Sequence, residues 1–275
     1  MQQTLFFRTR LTGLVFTSVL VLSGCLDNDD EVSAEATAAD DEVVEMTLSG
    51  SVGDGPIVGG TVVVYDANGE LVSEKGDRRG NRNRTKSDSE AGYELTLRLS
   101  GSQYPITAMV SDGTDIVTGT TPDFTLVSTV LNRRDGSTAN LNPFGTLAIN
   151  IAEKMEGGLT RANLDAAIRT IHESQNFGLD SELIYDPIAT EVTTENAAAV
   201  IKASEALGEA IRRTRDALMT MGQPTGAGLV LDAMGSDLVD GFLDGELGYR
   251  TSTKVSSCCK ICIYWEISED KTRWS

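Results

Sequence analysis

Residues 46–69 read MTLSGSVGDGPIVGGTVVVYDANG. Thr47, Ser49 and Ser51 alternate with Leu48 and Val52, a period of two that gathers the apolar side chains on one face of a strand. Gly53-Asp54-Gly55-Pro56 then reads as a β-turn: it lacks the G-x-G-x-x-G spacing of a phosphate loop and opens no helix. Thr61-Val62-Val63-Val64-Tyr65 is a second β-branched run, closed by the turn residues Asp66-Ala67-Asn68-Gly69. The same pattern recurs in Tyr93-Glu94-Leu95-Thr96-Leu97, Ile106-Thr107-Ala108-Met109-Val110 and Phe124-Thr125-Leu126-Val127. Short runs of this kind between Gly, Asn, Asp and Pro turns predict an antiparallel, Ig-like β-sandwich over residues 46–140.

Ser49-Gly50-Ser51-Val52, Gly55-Pro56-Ile57-Val58-Gly59-Gly60 and Val62-Val63-Val64-Tyr65-Asp66 together resemble the opening of carboxypeptidase regulatory-like modules. Ser87-Asp88 and Gly92-Tyr93-Glu94-Leu95 match the later signature of that family. The resemblance implies a transthyretin-like, prealbumin-type sandwich that is non-catalytic and serves in folding, spacing or adhesion. Residues 70–86 depart from the family by being longer and more basic, which leaves the strand register there open.

After Asn140-Leu141-Asn142-Pro143 the period becomes helical. Leu147, Ile151 and Met155 mark one segment, and Thr160 is placed as an N-cap ahead of Leu164, Ile168 and Ile171. Thr193-Thr194-Glu195 is expected to start a longer helix with Val200, Leu207, Ile211 and Leu218 on one stripe. Ala203, Ser204 and Gly208 supply small positions for close packing. A last segment carries Leu231, Met234, Leu238 and Phe242. The expected fold class is therefore α+β in separate units, a sandwich followed by a small helical bundle over 141–248.

The N-terminus carries a different signal. Residues 1–24 hold Arg8 and Arg10, no acid, and an apolar run from Leu11 to Leu22 that is short for a bilayer span. The run ends in Leu22-Ser23-Gly24-Cys25, which resembles the lipobox of bacterial lipoproteins. That resemblance implies cleavage of a 1–24 signal peptide and acylation of the Cys25 thiol, with Leu26 favouring the outer membrane. Each buried methylene of such a lipid contributes about 0.8 kcal/mol, so two or three chains anchor firmly. Residues 25–45 follow with DNDDEVSAEATAADDEVVE from position 27, free of Lys, Arg and aromatics. Such a segment is expected to be a disordered acidic tether.

The 275 residues carry a formal charge of −18, which repels nucleic acid and anionic headgroups. Cysteine is absent from 26 to 257, so the predicted units must hold together without disulfides. Residues 249–275 depart from the acidic, Ala- and Gly-rich composition that precedes them. They contain Cys258, Cys259, Cys262 and both tryptophans, Trp265 and Trp274. They read as an atypical tail, out of frame or otherwise non-native. As a metal site the three thiols lack a nearby fourth ligand.

Candidate chemistry is sparse. His172 is the sole histidine and sits in a helical pattern with no G-x-S-x-G elbow elsewhere, so a hydrolase triad is poorly supported. Asp237, Asp240 and Asp244 recur at i, i+3, i+7 and are expected on one solvated helical face, without the ligand ladder of a calcium loop. Arg78, Arg79, Arg82 and Arg84 form the candidate anion-binding loop, suited to the phosphates of an envelope lipid or to an anionic glycan. A solvated hairpin explains the same charges.

These residues lead us to expect a lipid-anchored envelope protein with a structural or binding role, no catalytic residue, no cofactor and no resident metal. Its partners would be the membrane, through the lipid, and an envelope protein or anionic glycan, with no nucleic acid. The competing expectation is a periplasmic enzyme, or the accessory subunit of one, acting on peptidoglycan or polysaccharide. An enzyme would need convergent, perturbed carboxylates in a pocket.

Overall fold

The computed structural model of the chain describes residues 42–72 and 84–245. Cys25, most of the acidic 25–45 segment, Arg78, Arg79, Arg82 and the 249–275 tail lie outside the described residues. The described chain is mixed α+β, with antiparallel sheets first and helices after.

The described residues form eight strands: β1 (Val44–Ser51), β2 (Ile57–Val58), β3 (Thr61–Tyr65), β4 (Arg84–Lys86), β5 (Gly92–Leu99), β6 (Ile106–Ser111), β7 (Thr114–Asp115) and β8 (Leu126–Val130). Strands β1 and β5 pair antiparallel, with Leu48 opposite Leu95 and Val44 opposite Leu99. Because β5 runs to Leu99, it supplies partners for Val44 and Glu45, so the first strand begins two residues before the expected boundary. The larger sheet has the order β4-β3-β6-β8, and β2 pairs with β7. Along β5 and β6 burial alternates, placing Tyr93, Leu95, Leu97 and Leu99, and then Ile106, Ala108 and Val110, in the core.

The turns follow their side chains. Asp66 closes the Asp66–Gly69 turn by accepting from the amides of Asn68 (2.8 Å) and Glu70 (3.0 Å), while Gly69 takes φ 77°. Asp88 does the same for Glu90 and Gly92, both at 2.9 Å, within the Ser87–Leu95 signature. The Gly53-Asp54-Gly55-Pro56 turn forms as the sequence predicts, with Gly53 bridged to Pro56.

Residues 137–141 join the two halves. They run parallel to β1: Ser49 N donates to Ser137 O, Ala139 N to Ser49 O and Leu141 N to Ser51 O, each at 2.8 Å. This segment leads straight into α1 (Pro143–Lys154), which is followed by α2 (Arg161–Ser174), α3 (Ala197–Thr220) and α4 (Ala227–Asp237). Helix α1 is capped by Asn142, whose side chain accepts from Gly145 N, and Pro143 sits at its first turn. It is buried on nearly every side, from Phe144 through Ala152, because it packs against β8, α2, α3 and α4 at once. Thr160 caps α2 as expected, accepting from Asn163 N at 3.2 Å.

One apolar core therefore extends from Leu48 and Val62 in the strands to Leu207 and Leu231 in the helices. The change of period near residue 141 predicts separate units. Strand β8 is instead buried along its whole length because α1 covers it, and the core is continuous across the seam. Among the described residues no helix is long and apolar enough to cross a membrane.

Candidate functional site

The most heavily perturbed charges lie where the 53–56 turn meets α3. Asp54, at the tip of the turn, is 2% exposed, and its Oδ2 accepts from Arg212 Nη1 at 2.5 Å. Arg212 also donates from Nη2 to Glu205 (3.4 Å) and from Nε to Glu209 (3.2 Å). Glu205, Gly208, Glu209 and Arg212 fall at i, i+3, i+4 and i+7, so α3 presents them along one stripe. Asp115 of β7 closes the other side. It is 2% exposed, and it accepts from Val117 N (2.8 Å) and Thr118 Oγ1 (2.9 Å).

Two glycines make this contact sterically feasible. A Cβ at Gly208 would overlap the Asp54 carboxylate, and one at Gly55 would overlap Glu205 Oε1 and lie 2.6 Å from Asp115 Oδ1. The sequence predicts that Ala203, Ser204 and Gly208 serve close packing, and all three are buried. What Gly208 admits is a carboxylate from the turn.

The charge balance is uneven. Burial pushes the Asp54 carboxyl up to about 7, against the pull of Arg212, and Glu205 and Asp115 push in the same direction. Burial, with Asp115 beside it, also raises Glu205. Arg212 loses hydration, which favours its neutral form, yet Asp54 and Glu209 hold it protonated more firmly than usual. Glu209, on the solvent side, is lowered by its hydrogen bonds from Arg213 and Arg212. Asp54 Oδ1 and Glu205 Oε1 are buried with no hydrogen-bond partner among the described residues. A second tie one turn along, from Arg215 Nη1 to Asp123 Oδ1 at 2.6 Å, fastens α3 to the loop before β8.

A second polar cluster pins the seam. Asn140 Oδ1 accepts from Ser51 N (3.0 Å) and Ser51 Oγ (3.1 Å), and its Nδ2 donates to Thr190 O (2.6 Å). Asn142 Oδ1 caps α1 while its Nδ2 donates to Pro187 O at 2.7 Å. The hollow these asparagines line with Phe144, Leu179, Ile184 and Val200 is too narrow to hold a water molecule. Asn140-Leu141-Asn142-Pro143 opens a helix as its sequence predicts; the clamp onto 187–190 is not legible from those residues.

The remaining candidates stand apart from these clusters. Arg84, on edge strand β4, is exposed, while Arg78, Arg79 and Arg82 lie outside the described residues. His172 lies within α2, stacked on Tyr185 with ring centroids 5.4 Å apart, and its Nε2 meets Tyr185 O at 2.8 Å. Asp237, Asp240 and Asp244 do not share a helical face. Helix α4 ends at Asp237, a single 3-10 turn covers Leu238–Asp240, and Gly241 reverses the chain at φ 94°. For the same reason Phe242, expected on the apolar stripe, is 68% exposed. Among the described residues no group of His, Cys, Asp or Glu is arranged to hold a metal ion.

No protein-family model matches the chain, and no curated protein or solved structure is significantly similar to it.

Proposed function

We propose that this chain is a lipid-anchored cell-envelope protein whose folded part has a structural or binding role. One observation carries the reading: the order of Arg8 and Arg10, the apolar run to Leu22, and Leu22-Ser23-Gly24-Cys25. The acyl chains on Cys25 hold the protein at the outer membrane, and the acidic 25–45 tether sets its distance from the surface. The β-rich part is a transthyretin-like, Ig-like sandwich of the carboxypeptidase regulatory type, followed by the helices as a small bundle. Support comes from the alternating burial of β3, β5 and β6 and from Asp88 closing the Ser87–Leu95 turn. Arg84, with Arg78, Arg79 and Arg82, would offer a cationic edge to an anionic glycan or an acidic envelope protein.

An enzymatic role is favoured by one feature, the near-neutral Asp54 beside Glu205. Both carboxylates, however, are pressed against the backbone at Gly208 and Gly55, where even a methyl group would overlap them. We therefore assign them to the junction between elements and not to a substrate.

The test is intact-mass analysis and membrane fractionation of the protein from its native cells, with Cys25→Ala as control. A mature chain that begins at acylated Cys25, and leaves the membrane fraction in the control, is the expected result. A chain that keeps residues 1–24, or an unmodified soluble chain, would overturn the anchor. The same mass reads directly whether residues 249–275 are present.

A further inference from the structure

We propose that the contact between the 53–56 turn and α3 is a proton-gated latch, closed when the buried Asp54 carboxyl holds a proton and loosened when it leaves. The latch is independent of the lipid anchor. Its geometric basis is an oxygen surplus. Asp54 Oδ2 is taken by Arg212, yet Asp54 Oδ1 and Glu205 Oε1 are both buried and both lack a donor among the described residues. None of the described residues supplies one, so an ionised Asp54 keeps its charge unmatched at Oδ1, and a proton on that carboxyl removes the charge where it is most deeply buried.

The groups facing Asp54 are few and can be named. Helix α3 contributes Arg212, Glu205 and Glu209, and β7 contributes Asp115. Asp115 already accepts from Val117 and Thr118, and Glu209 lies on the solvent side with Arg213. One guanidinium is therefore shared among Asp54, Glu205 and Glu209, and like charges pressed together in a buried place cannot all ionise without cost. Asp54 is 2% exposed and fills the place a Cβ at Gly208 would take, so its charge cannot reach water while the contact is shut. Loss of the proton is relieved by opening the turn from the helix.

Linkage fixes the direction of the pH dependence. The carboxyl of Asp54 is raised in the folded contact, from 3.8 to about 7, so the closed form binds more protons than the open one between those values. The stabilisation is complete below the ordinary value and is lost as pH rises through the raised one. Between about pH 6 and about pH 8 the equilibrium favouring the closed contact should fall by about tenfold.

Hydrogen–deuterium exchange on the full-length protein, corrected for intrinsic rates, reads this directly. Amides of α3 around residues 205–212 and of the 53–57 turn should lose about tenfold protection from about pH 6 to about pH 8. Asp54→Asn, which is uncharged at both pH values, should keep the protected state at both. Equal pH dependence in wild type and Asp54→Asn would overturn the latch. Should that variant misfold, carbon-13 titration of the wild-type Asp54 carboxyl decides: a midpoint near neutrality is expected, and one in the ordinary Asp range overturns the proposal. If calcium or magnesium, and not acid, restores protection at the higher pH, the cluster is a cation site and the proton latch fails.

Discussion

Replacing glycine by alanine inside a helix ordinarily stabilises a protein, and at Gly208 the sign should reverse. Helix propensity alone favours Gly208→Ala by about 1 kcal/mol. Against that stands the Asp54 carboxylate, whose Cγ and both oxygens occupy the volume a Cβ at 208 would take. Forcing a methyl into a filled contact costs about 1–3 kcal/mol. Pushing Asp54 off Arg212 breaks a buried pair, at a cost below the roughly 3–5 kcal/mol of an uncompensated one because Arg212 keeps Glu205 and Glu209. The turn can retreat and recover part of this, so the net destabilisation should be about 2 kcal/mol or more. In urea, with a slope of about 2 kcal/mol per molar, the unfolding midpoint should drop by roughly 1 M at unchanged slope. The cause is isolated by a double-mutant cycle. In an Asp54→Ala background the obstruction is gone, so Gly208→Ala should become neutral or mildly stabilising, a coupling of about 1–3 kcal/mol. A Gly208→Ala protein as stable as wild type would refute the contact. An equal loss in both backgrounds would place the obstruction somewhere other than the carboxylate.

The asparagine clamp gives a second expectation. Asn140→Ala removes three hydrogen bonds at the seam and should cost about 2–3 kcal/mol by the same denaturation measurement. Asn142→Ala removes a cap and a donor together and should cost about 2 kcal/mol, and Asn142→Asp, which keeps the cap but sets a carboxylate oxygen against Pro187 O, should cost at least as much. Tyr93 donates to Ala139 O at 2.7 Å from within the core, so Tyr93→Phe should lose about 1 kcal/mol. Burial pushes the Tyr93 hydroxyl well above the usual tyrosine range, and in an alkaline absorbance titration it should ionise only as the fold is lost.

Strands β3, β5 and β6 are legible in the sequence because a half-buried strand writes its period into the chain: Val62 and Val64 point inward while Thr61, Val63 and Tyr65 are only partly covered. The Thr160 cap is legible for a local reason too, since its bond closes three residues away. Partnership across long separations leaves no such trace. The parallel addition of 137–141 to β1 is backbone pairing, and no side chain announces it. Asp54 and Arg212 are 158 positions apart, and each alone reads as a surface charge. The signal that could have found them is the stripe itself, an arginine one turn beyond a glycine and flanked by Glu205 and Glu209. At the end of α4 the sequence misleads, because Leu238 and Phe242 continue an i, i+4 apolar pattern. Leu238 is buried, but Gly241 in the left-handed region turns Phe242 outward.

The placement of buried polar groups explains how two differently patterned halves come to share one core. Within the strands the inward positions are almost wholly apolar, and apolar contact tolerates sliding. Along the seam the inward groups are Asp54, Asn140, Asn142 and Thr146, and each binds an element other than its own. Thr146 accepts from Val127 N at 2.9 Å, tying α1 to β8, while Asn140 ties β1 to the 187–190 loop and Asp54 ties the turn to α3. Hydrogen bonds lose strength steeply with angle and distance, so each fixes a register that packing alone leaves free. Shifting the helix that begins at Pro143 by one turn would break the Asn142 and Thr146 bonds, and shifting α3 would break the Arg212–Asp54 pair. Three of the four ties are neutral and matched at the atoms they use; the fourth, at Asp54, shares one guanidinium with Glu205 and Glu209 and leaves an oxygen unmatched among the described residues. Among the described residues the seam is thus matched at the asparagines and threonine, and the proposed latch falls where α3 meets the turn.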